Sequence, residues 1–318
     1  MKEGIISLGE ALIDFIPLDE NNSTFQKSPG GAPANVAVGL ARLGAKSTFL
    51  GKVGNDVLGR FLKETLQDYG VRTHHMLLTP DIRTGVVFVT NGEGGERSFD
   101  FYIDPSADRF LEVEEIDEED FLSHRILHFG SISMISSPSK EATHHAVTVA
   151  KENGLLVSYD PNLRLGLWDS EENARDTIKS MLSESDVVKI SEEELEFITG
   201  EKEIEAGISK MKSYHIPFLI ITMGAVGSYV CVGDESQHVP SMKVKAVDTT
   251  GAGDAFVSGI LYSLHEYKGS MESLSIEEAA SMARFAAVSG ALAASTKGAM
   301  TALPSLEEVS LHLKKGEV

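Results

Sequence analysis

Apolar positions along the chain fall into two rhythms that take turns. Short, nearly unbroken apolar runs at residues 5–8, 47–50, 125–129, 155–159, 187–190 and 218–222 predict strands buried on both faces. Between them, apolar residues recur at helical spacing. This predicts helices at 33–42, closed by Gly44, and at 57–69, closed by Gly70. Further helical segments are expected at 140–152, 171–182, 192–198, 252–267, 275–294 and 305–314. Runs at 227–232 and 237–239 flank Gly233-Asp234 and read as a hairpin. Repeated strand–helix alternation implies an α/β fold, a doubly wound and mostly parallel sheet covered by helices on both faces. Residues 12–16, 85–90 and 98–103 instead alternate strictly, and the last two flank the turn-like stretch 91–96. They predict a small β-layer inserted into the α/β core, formed by about residues 11–25 and 85–104.

Composition narrows the functional classes. The 318 residues carry 28 Lys and Arg against 48 Asp and Glu, a net charge of −20. Such a surface disfavours nucleic acid and anionic membranes as partners. No apolar run reaches the ~18 residues of a membrane span, and Met1 to Gly4 leads straight into a strand with no signal-peptide pattern. A cytoplasmic location is the default expectation. Cys231 is the only cysteine, so no internal disulfide can form, and it reads as a small core residue. His74-His75 and His144-His145 are not expected to bind metal, because adjacent side chains on regular elements point apart.

The chemistry concentrates in two glycine-rich stretches. In the first, Gly30-Gly31-Ala32-Pro33-Ala34-Asn35, two glycines precede a helix, and the Asn35 amide can donate and accept toward a hydroxylated ligand. In the second, Asp248-Thr249-Thr250-Gly251-Ala252-Gly253-Asp254, a small-residue turn enters an apolar helix. Helix-start amides lack internal partners and carry partial positive charge, which suits an anion. Asp254 stands among them, and a carboxylate in an anion hole points to charge stabilisation and proton acceptance at one place. The helix start is expected to depress its pKa.

These two stretches, the first extended through Gly59 and the second through Leu261, resemble the two signatures of the ribokinase-like, or PfkB, carbohydrate kinase family. They stand in the family's order, about 200 residues apart, and the resemblance covers essentially the whole chain. It implies a single α/β kinase domain over residues 1–318, with the small β-layer as a lid over a sugar. It also implies ATP-dependent phosphorylation of a sugar hydroxyl. In these terms Asp254 is the catalytic base, and Gly251, Ala252 and Gly253 form the anion hole. Asp14, Gly30, Gly31 and Asn35 match the sugar side. No Walker A run is present, so a P-loop mechanism is excluded.

The run Asp160-Pro161-Asn162-Leu163-Arg164 to Trp168 is similar to one found in fructokinases of the family and, in related form, in 2-keto-3-deoxygluconate kinases. Asn162 is expected to orient substrate, Arg164 to bind phosphate or a keto acid, and Trp168 to pack. Arg97, Phe99 and Phe101 are expected to reach the sugar from the lid, or, for Arg97, to be an edge charge. Lys189 is expected to face nucleotide phosphates, and Glu194 to reach magnesium through water. Ser191 stands where many members have Asn, which leaves direct metal ligation open. Thr222, Gly224 and Gly227 match the nucleotide-contacting Thr-x-Gly-x-x-Gly, and Lys297 and Gly298 the loop over adenine. Asp248, Thr250 and Gly298 match a site for a monovalent cation such as potassium, although Ala302 replaces a common Ser. The resemblance therefore implies ATP, Mg2+ and K+ as cofactors. Fructose is the first substrate expected, with a keto acid, another sugar or a nucleoside as alternatives, and a noncatalytic sugar-binding regulator as the reading from a different class. An apolar lid face favours a homodimer through the lid.

Overall fold

The structure, a computed structural model, describes residues 2–92 and 97–316, and for Arg97 it describes the backbone only. Among the described residues, nine strands form the main sheet. These are β1 (Ile5–Leu8), β4 (Ser47–Gly54), β5 (Met76–Thr79), β8 (Ile126–Phe129), β9 (Leu156–Tyr159), β10 (Val187–Ser191), β11 (Phe218–Thr222), β12 (Ser228–Val232) and β13 (Glu235–Val239). Their order is 13-12-11-10-9-8-1-4-5. All neighbours pair in parallel except β11–β12 and β12–β13. Consecutive residues of a strand enter opposite cores: Ile6, Leu127, Val188 and Leu219 one, Ile5, Ile126, Val187 and Phe218 the other. Burial on both faces is why these strands read as unbroken apolar runs.

Helices cover both faces. The first core takes in residues of α4 (Ser139–Glu152), α5 (Glu171–Leu182), α6 (Glu192–Thr199) and α7 (Ile204–Met211). The second takes in α1 (Ala32–Arg42), α8 (Ala252–Glu266) and α9 (Ile276–Ala294). α2 (Val57–Asp68), the short α3 (Glu118–Phe121) and α10 (Leu306–Lys314) complete the set. Several starts are capped as the residue types require: Asp56 accepts from the amides of Leu58 and Gly59, and Ser191 with Glu194 forms a reciprocal capping box.

A separate sheet holds β2 (Leu12–Pro17), β3 (Phe25–Gly30), β6 (Gly85–Asn91) and β7 (Arg97–Phe101) in the order 3-2-6-7. β2–β3 and β6–β7 are antiparallel and β2–β6 is parallel. This sheet differs from the expected 11–25 and 85–104 in one important respect. Its third strand continues to Gly30, so the first half of the glycine pair lies in the small sheet rather than in a free turn. The expected turn residues 93–96 and the Arg97 side chain lie outside the described residues.

Candidate active site

β1 has β4 on one side and β8 on the other, so the strand order reverses there. In an open α/β sheet a crevice forms outside the carboxyl ends at such a point. Here it is lined by Glu10 after β1, Ser131 after β8, Asp160 and Asn162 after β9, and Asp254 from α8.

α8 starts at Gly251, whose φ of 78° is in the left-handed region that glycine adopts without a steric penalty. The Ala255 amide makes the first helical bond, to the Gly251 carbonyl at 2.8 Å, and the Ala252 amide is taken by the Thr249 carbonyl at 3.2 Å. Gly253 therefore has the more open helix-start amide, with Lys189 Nζ as the nearest group to its side-chain position. α8 is held against α1 in part through Ser258, whose Oγ lies 2.7 Å from the Asp254 carbonyl and 3.3 Å from that of Val36. That packing brings the two signatures together. Asn35 Nδ2 donates to Asp254 Oδ2 at 2.7 Å, while the buried Asn35 Oδ1 has no protein partner.

The acidity of Asp254 differs from expectation. Its pKa is raised to about 6 rather than depressed, chiefly because burial desolvates the carboxylate; the Asn35 hydrogen bond, Lys189 and Arg164 oppose this and Asp160 adds to it. Desolvation outweighs the helix start. Asp14 on β2 is raised to about 7, first by desolvation, with Arg164 pulling down and Asp254 pushing up. Gly30 sits directly against it, and any Cβ there would collide with the Asp14 carboxylate. Gly31 is the N-cap of α1, and Asn35 lies in that helix's first turn.

Phe99 and Phe101 pair with Val89 and Val87, and Val87 pairs with Asp14, so both aromatics share the Asp14 face of the small sheet. Phe99 is 54% exposed. Arg164 is exposed and donates to the Leu163 carbonyl at 3.0 Å. Asn162 has a φ of 47° and its amide donates to Asp160 Oδ1 at 3.2 Å. Trp168 is buried, as a packing residue should be.

On the other side, Lys189 Nζ lies 3.1 Å from Asp160 Oδ2. Desolvation pulls its pKa down, but Asp160 and Glu194 outweigh this and hold it above the ordinary lysine value. Glu194 spends both oxygens on backbone, accepting from Leu163 N and Ser191 N at 2.8 Å each. Burial raises its pKa against the pull of Lys189. Thr222 Oγ1 donates to the Ile190 carbonyl at 3.3 Å, while Gly224 and Gly227 form the turn between β11 and β12. Asp248 accepts from Thr250 N at 3.1 Å and Gly298 N at 3.2 Å, joining the 248–250 turn to the loop after α9 beside the exposed Lys297.

Two residues were not singled out from sequence. Asp160 is the partner of Lys189, and its position at a strand's carboxyl end was the available signal. Glu10 is buried, accepts from Ala32 N at 3.1 Å through Oε1, and leaves Oε2 without a partner. Desolvation raises its pKa to about 8, with Asp108 and Asp254 adding to the shift and backbone amides opposing it. The premise that the His74 and His75 side chains point apart does not hold. Both rings turn toward Asp120, because residues 73–75 lie in irregular backbone where strand alternation does not apply.

Comparison with known proteins agrees with this arrangement. A model of the pfkB family of carbohydrate kinases matches residues 2–306. The chain is 45% identical to probable fructokinase-6, chloroplastic, of Arabidopsis thaliana, over 99% of this chain and 83% of the relative. A fructokinase double mutant from Vibrio cholerae O395, solved with fructose, ADP and potassium ion, has a TM-score of 0.89 at 40% identity, covering 98% of each chain. A fructokinase from Xylella fastidiosa with bound ATP has a TM-score of 0.92 at 36% identity, covering 99% of this chain and 100% of the other. Among the described residues no helix is long and apolar enough to cross a membrane. With a family match over nearly all its length and a carboxylate shared between both signature segments, the chain belongs to the pfkB family of carbohydrate kinases, ATP-dependent enzymes acting on sugars.

Proposed function

We propose that this enzyme is a fructokinase, transferring the γ-phosphoryl group of ATP to the 6-hydroxyl of fructose. The observation that carries the reading is the Asn35–Asp254 hydrogen bond, which joins the sugar-side segment to the helix start at one carboxylate. The fructose and nucleotide bound by similar kinases support the choice of substrates.

The chemistry follows from the groups present. The sugar oxygen forms a bond to the γ-phosphorus, the bond from phosphorus to the β-bridging oxygen breaks, and ADP leaves with that electron pair. The hydroxyl proton passes to Asp254. With a pKa near 6, Asp254 is mostly ionised at neutral pH, yet basic enough to accept a proton as phosphorus–oxygen bonding develops. The α8 start at Gly251, Ala252 and Gly253, with Lys189 beside Gly253, offers positive potential to the transferring group. The free Oδ1 of Asn35 and the Asp14 carboxylate, with Gly30 and Gly31 leaving room, suit sugar hydroxyls. Phe99, Phe101, Arg97, Asn162 and Arg164 belong to the same sugar-side proposal. Thr222, Gly224, Gly227, Lys297 and Gly298 belong to the nucleotide side.

Magnesium bound with ATP would neutralise charge on the phosphates. Because Glu194 already accepts two backbone amides, it suits an ion that keeps its own waters rather than a tight protein cage. The Asp248–Thr250–Gly298 junction suits a potassium ion, as carried by the Vibrio enzyme. A cytoplasmic location belongs to the proposal too, although the Arabidopsis relative is named chloroplastic.

Asp254→Asn tests the mechanism. The variant is expected to bind ATP normally and lose kcat by ~10²–10⁴-fold, the usual worth of a general base. Near-normal turnover would remove Asp254 from that role. The small sheet is proposed to act as a lid within a single kinase unit, and its exposed apolar residues, Phe99 and Tyr102 among them, to form a homodimer contact. Gel filtration with light scattering should give twice the chain mass; a strict monomer at working concentrations speaks against the contact.

A further inference from the structure

Away from the crevice, the lead-in to β5 and the short helix α3 bring two imidazoles and a carboxylate to one point. His74 Nε2 lies 3.1 Å from Asp120 Oδ2, and His75 Nε2 lies 2.8 Å from the same oxygen. The two rings are 4.0 Å apart between centroids and inclined at 54°. Among the described residues, this is the one group of three His, Cys, Asp or Glu donors whose ligand atoms all fall within 4.8 Å of one another.

Ordinary hydrogen bonding explains only half of the arrangement. His74 makes a hydrogen bond to Asp120, but the buried Nε2 of His75 has no partner in hydrogen-bond alignment despite its closeness. Three donors held about 2.1 Å from one ion, at angles of roughly 90–109°, lie roughly 3.0–3.4 Å apart. The two His–Asp separations are already at or just below that spacing. Backbone contacts hold both sides in place. Gly51 N donates to the His75 carbonyl at 3.2 Å, and Ser123 N to the Asp120 carbonyl at 3.2 Å.

We propose that His74, His75 and Asp120 form a site for one divalent transition-metal ion of the zinc type, completed by water, which clips the start of β5 to α3. Two imidazoles and a carboxylate suit zinc, whose filled d shell tolerates irregular geometry. Magnesium prefers an octahedron of oxygens, so this site differs in chemistry from the one serving the nucleotide. Side-chain exposures of 50%, 14% and 23% for His74, His75 and Asp120 let an ion enter from solvent. The net charge of −20 favours cation approach.

The test uses the full-length, tag-free chain, stripped with a chelator and then freed of it. Zinc is titrated by calorimetry without nucleotide, and thermal melting is followed with and without zinc. One saturable equivalent per chain and a raised Tm are expected. His74→Ala should weaken binding at least about tenfold, and Asp120→Ala should abolish the Tm shift. Both variants should keep wild-type fructose turnover, which shows that they fold. Absence of saturable zinc binding in the wild type overturns the proposal. So does equal zinc affinity in the wild type and both variants. A magnesium-induced shift of the same size, lost in the same variants, overturns the assignment to a zinc-type ion.

Discussion

Glu10 and Asp254 line one crevice and Asp14 lies near Asp254, and desolvation raises all three, Glu10 to about 8, Asp254 to about 6 and Asp14 to about 7. The Asp254 charge adds to the rise of both Glu10 and Asp14, so the site holds acid groups close together before any ligand arrives. This has a consequence for stability. A carboxyl whose folded pKa exceeds its unfolded value binds more protons in the folded chain over that interval, so its contribution is lost as pH rises through the folded pKa. Buried His124 and His128 act in the opposite sense, since desolvation lowers both, His128 to about 3; their contribution is lost as pH falls below the ordinary 6.5. Between pH 6.5 and 8 Glu10 acts throughout and Asp14 up to about 7, without the histidines. Stability of the ligand-free chain, measured by urea unfolding, should therefore decline from pH 6.5 to 8. Glu10→Gln, which has no charge to desolvate, should flatten that slope, and an unchanged slope would show that Glu10 does not carry it.

Elements fix where these residues stand. α2 shows how: Asp56 accepts from the amides of Leu58, Gly59 and Thr84 and from the Thr84 hydroxyl, so one carboxylate caps the helix and ties it to the segment entering β6. Asp56→Ala should cost about 2 kcal/mol, the upper end for a helix cap, in urea unfolding, with kcat on fructose nearly unchanged because the side chain lies outside the crevice. A loss of activity without a loss of stability would contradict this scaffold role. The same logic explains how much was legible beforehand. Strands such as β8, β10 and β11 are buried on both faces and announce themselves as apolar runs, and α5 begins and ends where its cap and periodicity predict. β3 did not, because Phe-Gln-Lys-Ser-Pro-Gly is polar and carries a proline that only an edge strand accommodates. β5, also at an edge, fully buries only Met76 and so shows no apolar run, and α7 carries Gly207, a weak helix former, in its middle. The Asn35–Asp254 contact joins residues 219 apart in the chain, and its existence depends on α1–α8 packing that no local pattern encodes. The rise in the Asp254 pKa was invisible for the same reason, since desolvation is set by neighbours from other elements.

At the scale of the whole molecule, the doubly wound sheet supplies a crevice at its switch point and the small sheet brings Asp14 close enough to feel the Asp254 charge. The acidic surface, with net charge −20, adds no attraction for an anionic nucleotide. In the proposed reading, recognition comes instead from the local arrangement at the α8 start and Lys189. Sugar identity is read, in the same proposal, by equally local means, through Asp14 on the small sheet and Asn35 on α1. The most direct test is an ADP-release assay across a panel of sugars and sugar acids at one fixed ATP concentration, with magnesium and potassium present. Fructose should give the highest kcat/KM, with fructose 6-phosphate as product; preference for 2-keto-3-deoxygluconate or ribose over fructose, or no turnover with any of them, would contradict the account.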